Sequence, residues 1–247
     1  NKIKRPGYIS LLTRNINNGS IDNNYFLESG YYMTMADNAA LDLYYSNNMI
    51  VENNVIYKVF NDRSGQAINL DGCTNFIVQN NFLKDSDSGC FVINTATNNI
   101  FRYNITEGFN DEWFRNLGGT GTQIYNNTIY AHSSNHAATG FFVKNVESIE
   151  VQVPSTNTAV FNNIFIREQS SIPETADLIF ELPSTTGSSF SNNVYFGNFT
   201  DEVVEDENPS FEDPELENIG SGQVDVINFT NDPSGYKMML SSPYLES

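Results

Sequence analysis

The chain has 247 residues, of which 39% are hydrophobic and 13% aromatic, enough to close a continuous core. Acids outnumber bases 30 to 12, for a net charge of −18, which excludes a nucleic-acid binder, whose surface must carry the opposite sign. Nothing approaches an 18-residue apolar run, so no membrane span is expected.

The sequence starts at Asn1 without a leader, so the expectation is a processed piece of a longer protein. From there the chain returns repeatedly to one string: IDNNYFL, VENNVIY, VQNNFLK, FRYNITE, IYNNTIY, VFNNIFI and FSNNVYF. Its second Asn (Tyr-Asn in the fourth string) gives the anchors Asn24, Asn54, Asn81, Asn104, Asn127, Asn163 and Asn193, spaced 30, 27, 23, 23, 36 and 30 residues apart. A period in the twenties, stretched by insertions, is the mark of a solenoid.

Each repeat reads in the same order. Thirteen residues before the anchor stands an apolar residue, Leu11, Leu41, Ile68, Phe91, Phe114 or Phe180, with Val143 joining the column if seven residues are inserted after Lys144. This predicts a first strand. Six before stands only Asn or Gly (Asn18, Asn48, Asn75, Asn98, Gly121, Asn157, Gly187), which predicts a turn. Three before, Ile21, Val51, Val78, Phe101, Ile124, Val160 and Phe190 predict a second strand. The anchor itself predicts a corner, with a third strand after it. Asn suits that corner twice over: it tolerates left-handed backbone, and its amide can stack on the same amide one coil along. Residues 1–200 thus form about seven coils of an all-β fold. Residues 201–247, which begin with the acidic run DEVVEDENPSFEDPELE, form a loop, strand and cap over the open end. The same phase sets Cys73 and Cys90 about six positions apart on neighbouring strands, roughly 20 Å at strand rise. That is beyond disulfide reach, so two thiols are expected.

These coils (NNMIVENNVI, TNFIVQNNF, FNNIFI, FSNNVYFGN), together with the closing NPSFEDPELEN and YKMMLSSPYLES, resemble the right-handed parallel β-helix proteins of the pectate-lyase-like superfamily over roughly residues 10–200. The resemblance implies a secreted or cell-surface, bacterial, carbohydrate-active protein, working as a monomer on a polysaccharide or other glycan. The Asp-pair and Gly-His-Gly signatures of its polygalacturonase-like branch are absent.

Strand alternation sends positions −12 and −10 of the first strand outward. That face carries Asp42, Asn69, Val92, Arg115, Lys144 and Glu181 in one row, and Tyr44, Asp71, Asn94 and Leu117 in the next. Members that the chain resembles build their cleft there. By that resemblance Lys144 and Arg115 are the candidate bases for β-elimination next to a uronate carboxylate. Asp42, Asn69 and Asp71 are hard-oxygen ligands for Ca²⁺. Asn94 and, from the loop GFNDEWF, Asp111, Glu112 and Trp113 would meet the sugar chain. The only histidines, His132 and His136 in YAHSSNHAATG, enter just before Lys144, the first as a substrate contact and the second as an acid or base. A hydrolase would use paired carboxylates instead, from Asp71, Asp111, Glu112 and Glu147, and a non-catalytic adhesion module would need neither. The plain alternative is solvated surface on a half-exposed strand for the outer-face residues, a corner packing role for Trp113 and a solvent-facing loop position for the histidines.

Overall fold

Three strands per repeat, with left-handed residues on either side of the second, dictate how the chain winds. The computed structural model describes residues 1–30, 38–59, 65–109, 112–132, 143–146, 153–168, 179–181, 184–197, 199, 206–218, 221–225 and 230–237. Among them lie three parallel sheets in which strands adjacent in a sheet come from successive repeats. Sheet I holds Leu11–Arg14, Asn38–Tyr44, Gly65–Asp71, Ser88–Ile93, Phe114–Leu117, Val143–Val146 and Ile179–Glu181. Sheet II holds Asn17–Asp22, Asn47–Glu52, Ile77–Gln79, Ile100–Arg102, Gln123–Tyr125, Ala159–Phe161 and Ser189–Ser191. Sheet III holds Lys2–Lys4, Tyr25–Ser29, Val55–Val59, Phe82–Ser86, Ile105–Phe109, Thr128–Ala131, Ile164–Arg167 and Val194–Gly197. The fold is therefore the expected all-β parallel solenoid.

The apolar column predicted for the second strand lines the core without exception, from Ile21 to Phe190. Phe26, Ile56, Leu83, Ile129 and Phe165 face it from sheet III, and Leu41, Ile68, Cys90 and Phe114 from sheet I. Cys73 and Cys90 are buried free thiols, as the repeat phase requires.

The anchor amides form an unbroken ladder. Each Nδ2 donates to the Oδ1 of the next anchor, from Asn24 to Asn54 and on to Asn193, at 2.9–3.0 Å. Each Oδ1 also accepts the backbone N–H of the preceding anchor, as Asn104 Oδ1 does from Asn81 at 3.0 Å. Asn1, in the same column, donates from Nδ2 to Asn24 Oδ1 at 3.1 Å. Asp206 ends it: its Oδ2 accepts from Asn193 Nδ2 at 2.7 Å and from the Tyr195 hydroxyl at 2.8 Å. A carboxylate suits the last place because it only accepts, leaving no amide N–H without a partner.

The left-handed corner residue is one position earlier than the anchor. Asn23, Asn53, Asn80, Tyr103, Asn126, Asn162 and Asn192 all have φ of 54–55°. The two Asn of each string thus divide the work: the first turns the chain and the second joins the coils. The −6 column is left-handed in every repeat as well, from Asn18 at φ 61° to Gly187 at φ 73°. Where Gly187 replaces Asn, a Cβ would stand 2.3 Å from Asn157 Oδ1 of the coil beside it. One position before this column, Thr74, Thr97, Thr120, Thr156 and Thr186 bridge coil to coil. The Thr74–Thr97 and Thr120–Thr156 hydroxyls lie 3.0 Å apart.

Beyond the last sheet strands, Asp206 and Ser210 bridge to Phe190 and Val194, adding a partial rung over the end of the stack. The chain then turns back along the outside of sheet III. Leu216 and Tyr236 pack there on Tyr130, Ile164, Ile166 and Val194. The tail is thus a strap along one side as well as an end cover.

Replacing Asn104 by Ala removes its donations to Val78 O and Asn127 Oδ1, takes the acceptor from the buried Asn81 backbone N–H, and removes one of the acceptors of Asn81 Nδ2. The variant is expected to lose about 3 kcal/mol of stability, read as a lower urea midpoint at unchanged slope.

Candidate functional site

On the outer face of sheet I, backbone register puts Leu12, Asp42, Asn69, Phe91, Arg115, Lys144 and Phe180 in one row. The parallel row runs Arg14, Tyr44, Asp71, Ile93, Leu117 and Val146. Three expected members are therefore displaced: Val92, Asn94, whose place in the parallel row Ile93 takes, and Glu181. Val92 pairs with Leu70 and faces the core, and Phe91 takes its place outside. The cause is the corner after Ser88–Ile93, where Asn94 (φ 54°) and Thr95 (φ 64°) are both left-handed. Four steps there lead from Ile93 to Thr97, against three from Asp71 to its bridge partner Thr74. That one extra residue shifts the strand by a single register position and exchanges its faces. At the last rung, likewise, Phe180 pairs with Lys144 and Glu181 with Asn145.

Asp42, Asn69, Asp71 and Asn94 form a buried polar chain on neighbouring rungs. Asn69 Nδ2 donates to Asp42 Oδ1 at 2.9 Å, the Tyr44 hydroxyl to Asp42 Oδ2 at 3.2 Å, and Asn94 Nδ2 to Asp71 Oδ1 at 3.1 Å. Burial pushes the Tyr44 hydroxyl well above its usual range, and the Asp42 charge adds to the push. Asn69 Oδ1 is buried with no hydrogen-bond partner among the described residues. An acceptor in that state beside two carboxylates is a place for a donor or a cation.

Arg115 joins this face with its charge already engaged. Its Nε and one terminal nitrogen donate to the two carboxylate oxygens of Glu112, and its guanidinium lies 4.5 Å from the centre of the Phe91 ring. Lys144 is next to Arg115 in backbone register; its side chain, like Asp111, His136 and Glu147, lies outside the described residues. Trp113 is not an open platform for sugar. It is 2% exposed, packs on Phe114 and Phe165, and donates its indole N–H to Thr106 Oγ1 at 2.9 Å.

His132 does not join this group. It follows the sheet III strand Thr128–Ala131, and its Nε2 lies 3.3 Å from Glu107 Oε1. Glu107 is fully buried and saturated. Lys84 pairs with Oε1, while the Gly222 N–H (2.9 Å) and the Tyr236 hydroxyl (2.7 Å) donate to Oε2. Gly222 is required there, because a Cβ would fall 2.4 Å from that same oxygen. Glu107 therefore clamps the tail to sheet III. Burial pushes its carboxyl up, but the hydrogen bonds from His132, Lys84 and Tyr236 outweigh it and hold the group below its usual value. Of these contacts only the Lys84–Glu107 pair has a periodic signal, the two sharing one column 23 residues apart; the tail's contacts have none.

No protein-family model matches the chain, and no match was found among curated proteins. The fold defines its class: a parallel β-solenoid with an amide ladder and a cluster of buried polar side chains on sheet I.

Because the folded Glu107 carboxyl titrates below its unfolded value of about 4.5, its stabilisation is complete above that pH and is lost as pH falls through the folded value. Amide exchange at Gly222 is expected to stay protected near neutrality and to lose protection as pH falls well below 4.5, while the core strands remain protected. Glu107→Gln should abolish that pH dependence.

Proposed function

We propose that the protein is a carbohydrate-active solenoid that works on an extended polysaccharide laid along the outer face of sheet I, by β-elimination. The observation carrying this reading is the row in which Asp42 and Asn69 run through Phe91 to Arg115 and Lys144, with Asp71 alongside. A linear polymer matches a straight row of equivalent rungs. Arg115 is permanently charged and held by Glu112, so it cannot take a proton; its part is to face the uronate carboxylate. Lys144, beside that cation in register, is the base that removes the proton next to the carboxylate. His136 is assigned the complementary acid role. Asn94 orients hydroxyls. Trp113 and His132 take no part in holding substrate, since both are occupied elsewhere.

The donor set near Asn69 fits calcium. Two carboxylates and an amide oxygen are hard ligands, though fewer than the six to eight oxygens that Ca²⁺ takes, so water or substrate would complete the shell. When bound, such an ion would neutralise the substrate carboxylate and offset the −18 charge that otherwise repels a polyanion. On this reading the protein works outside the cell, where such polymers are met.

The capture of Arg115 by Glu112 and the burial of Trp113 favour a second reading, a glycan-binding module without turnover. Incubation with uronate polymers, with and without calcium, separates the two. Elimination creates conjugated double bonds that absorb in the ultraviolet, and Lys144→Ala should lower their rate of appearance by about 100-fold or more. No new absorbance with any such polymer, alongside saturable binding, would replace the first reading by the second.

A further inference from the structure

The returning tail leaves a groove beside the Asn corner, lined by sheet III, the corner residues and the tail rather than by the sheet I face. Its volume is about 410 Å³. The floor is the first outward row of sheet III, with Tyr25, Val55, Phe82 and Ile105 on four successive rungs. One wall is the left-handed corner column, with Asn23, Asn53, Asn80 and Tyr103; the other is Asn231 and Pro233 of the tail. The Tyr25 hydroxyl reaches across to Asn231 Oδ1 at 3.2 Å.

Two features of the groove point to a ligand. The first is its chemistry. Although the chain carries a net charge of −18, no charged side chain among the described residues lines this groove. An apolar floor with carboxamides along the rim suits a molecule with flat apolar faces and a hydroxyl edge, because amides both donate and accept. The second is Tyr103. It stands where the other six repeats have Asn, in the same left-handed backbone at φ 55°. A bulky residue is disfavoured in that conformation, and burial does not compensate, since Tyr103 is 49% exposed. Its ring lies at the groove, next to Arg102 and edge-on to Tyr125.

We infer that this groove is a binding site for a neutral, extended oligosaccharide, with Tyr103 stacking on a sugar ring and the corner amides of Asn53 and Asn80 hydrogen-bonding its hydroxyls along the rungs. The site is separate from the sheet I face and does not depend on its chemistry.

The test is a titration with linear neutral gluco-, manno- and xylo-oligosaccharides, followed by NMR of the Asn side-chain amides and by calorimetry. Saturable shifts confined to Asn23, Asn53, Asn80 and Asn231 are expected with at least one of the three. Tyr103→Asn restores the residue used at the other corners, so the variant should unfold at the same or a higher temperature while binding about tenfold more weakly. Asn53→Asp should also weaken binding. If the wild-type protein gives no saturable shift with any of these chains, or if Tyr103→Asn binds as tightly as wild type, the inference is overturned. Turnover of a uronate polymer by the Tyr103→Asn variant reports on sheet I alone.

Discussion

The structure depends on one repeated interaction, the amide-to-amide hydrogen bond between anchor asparagines of adjacent coils. A carboxamide is self-complementary along one axis: its N–H meets the oxygen of an identical group one sheet spacing away. Each Oδ1 here takes a backbone N–H as well, so the ladder fixes the main chain along with the side chains. Insertions of very different length can therefore enter between coils without disturbing the stack. The spacing from Asn127 to Asn163 is 36 residues, yet the hydrogen bond across it is 2.9 Å. The cost is polarity at an end, which Asp206 meets after Asn193 with a pure acceptor.

The corner explains why the paired Asn strings recur. Left-handed backbone and a buried ladder are separate demands, each met by its own residue, and Asn satisfies both with little strain. Departures from the pair are therefore informative. Gly at the −6 corner answers crowding by the amide of the neighbouring coil. Tyr at position 103 meets only Arg102 and the edge of Tyr125 and stays half exposed in a backbone conformation that suits Asn better.

The two faces that carry chemistry have opposite histories. The polar row of sheet I follows from strand alternation, so Asp42, Asn69 and Asp71 could be placed together from the sequence. Arg115 could be placed in the row, but its capture by Glu112 could not, because the turn between them has no periodic signature. The clamp on sheet III joins Glu107 to residues 115 and 129 positions away, and no local pattern links them.

What the sequence determined by itself is everything that repeats: the coil period, the three strands, the core column, the corners, the ladder and the free state of both thiols. These are legible because each coil meets the same environment as the last, so the same residue types recur at the same offset. Tertiary structure alone decided what breaks the repeat. One extra left-handed residue, Thr95, turned Val92 inward and Phe91 outward, because an odd shift along a strand exchanges its faces. The path of the tail was decided the same way, since a single pass over sheet III has no second copy in the chain against which its register could be read.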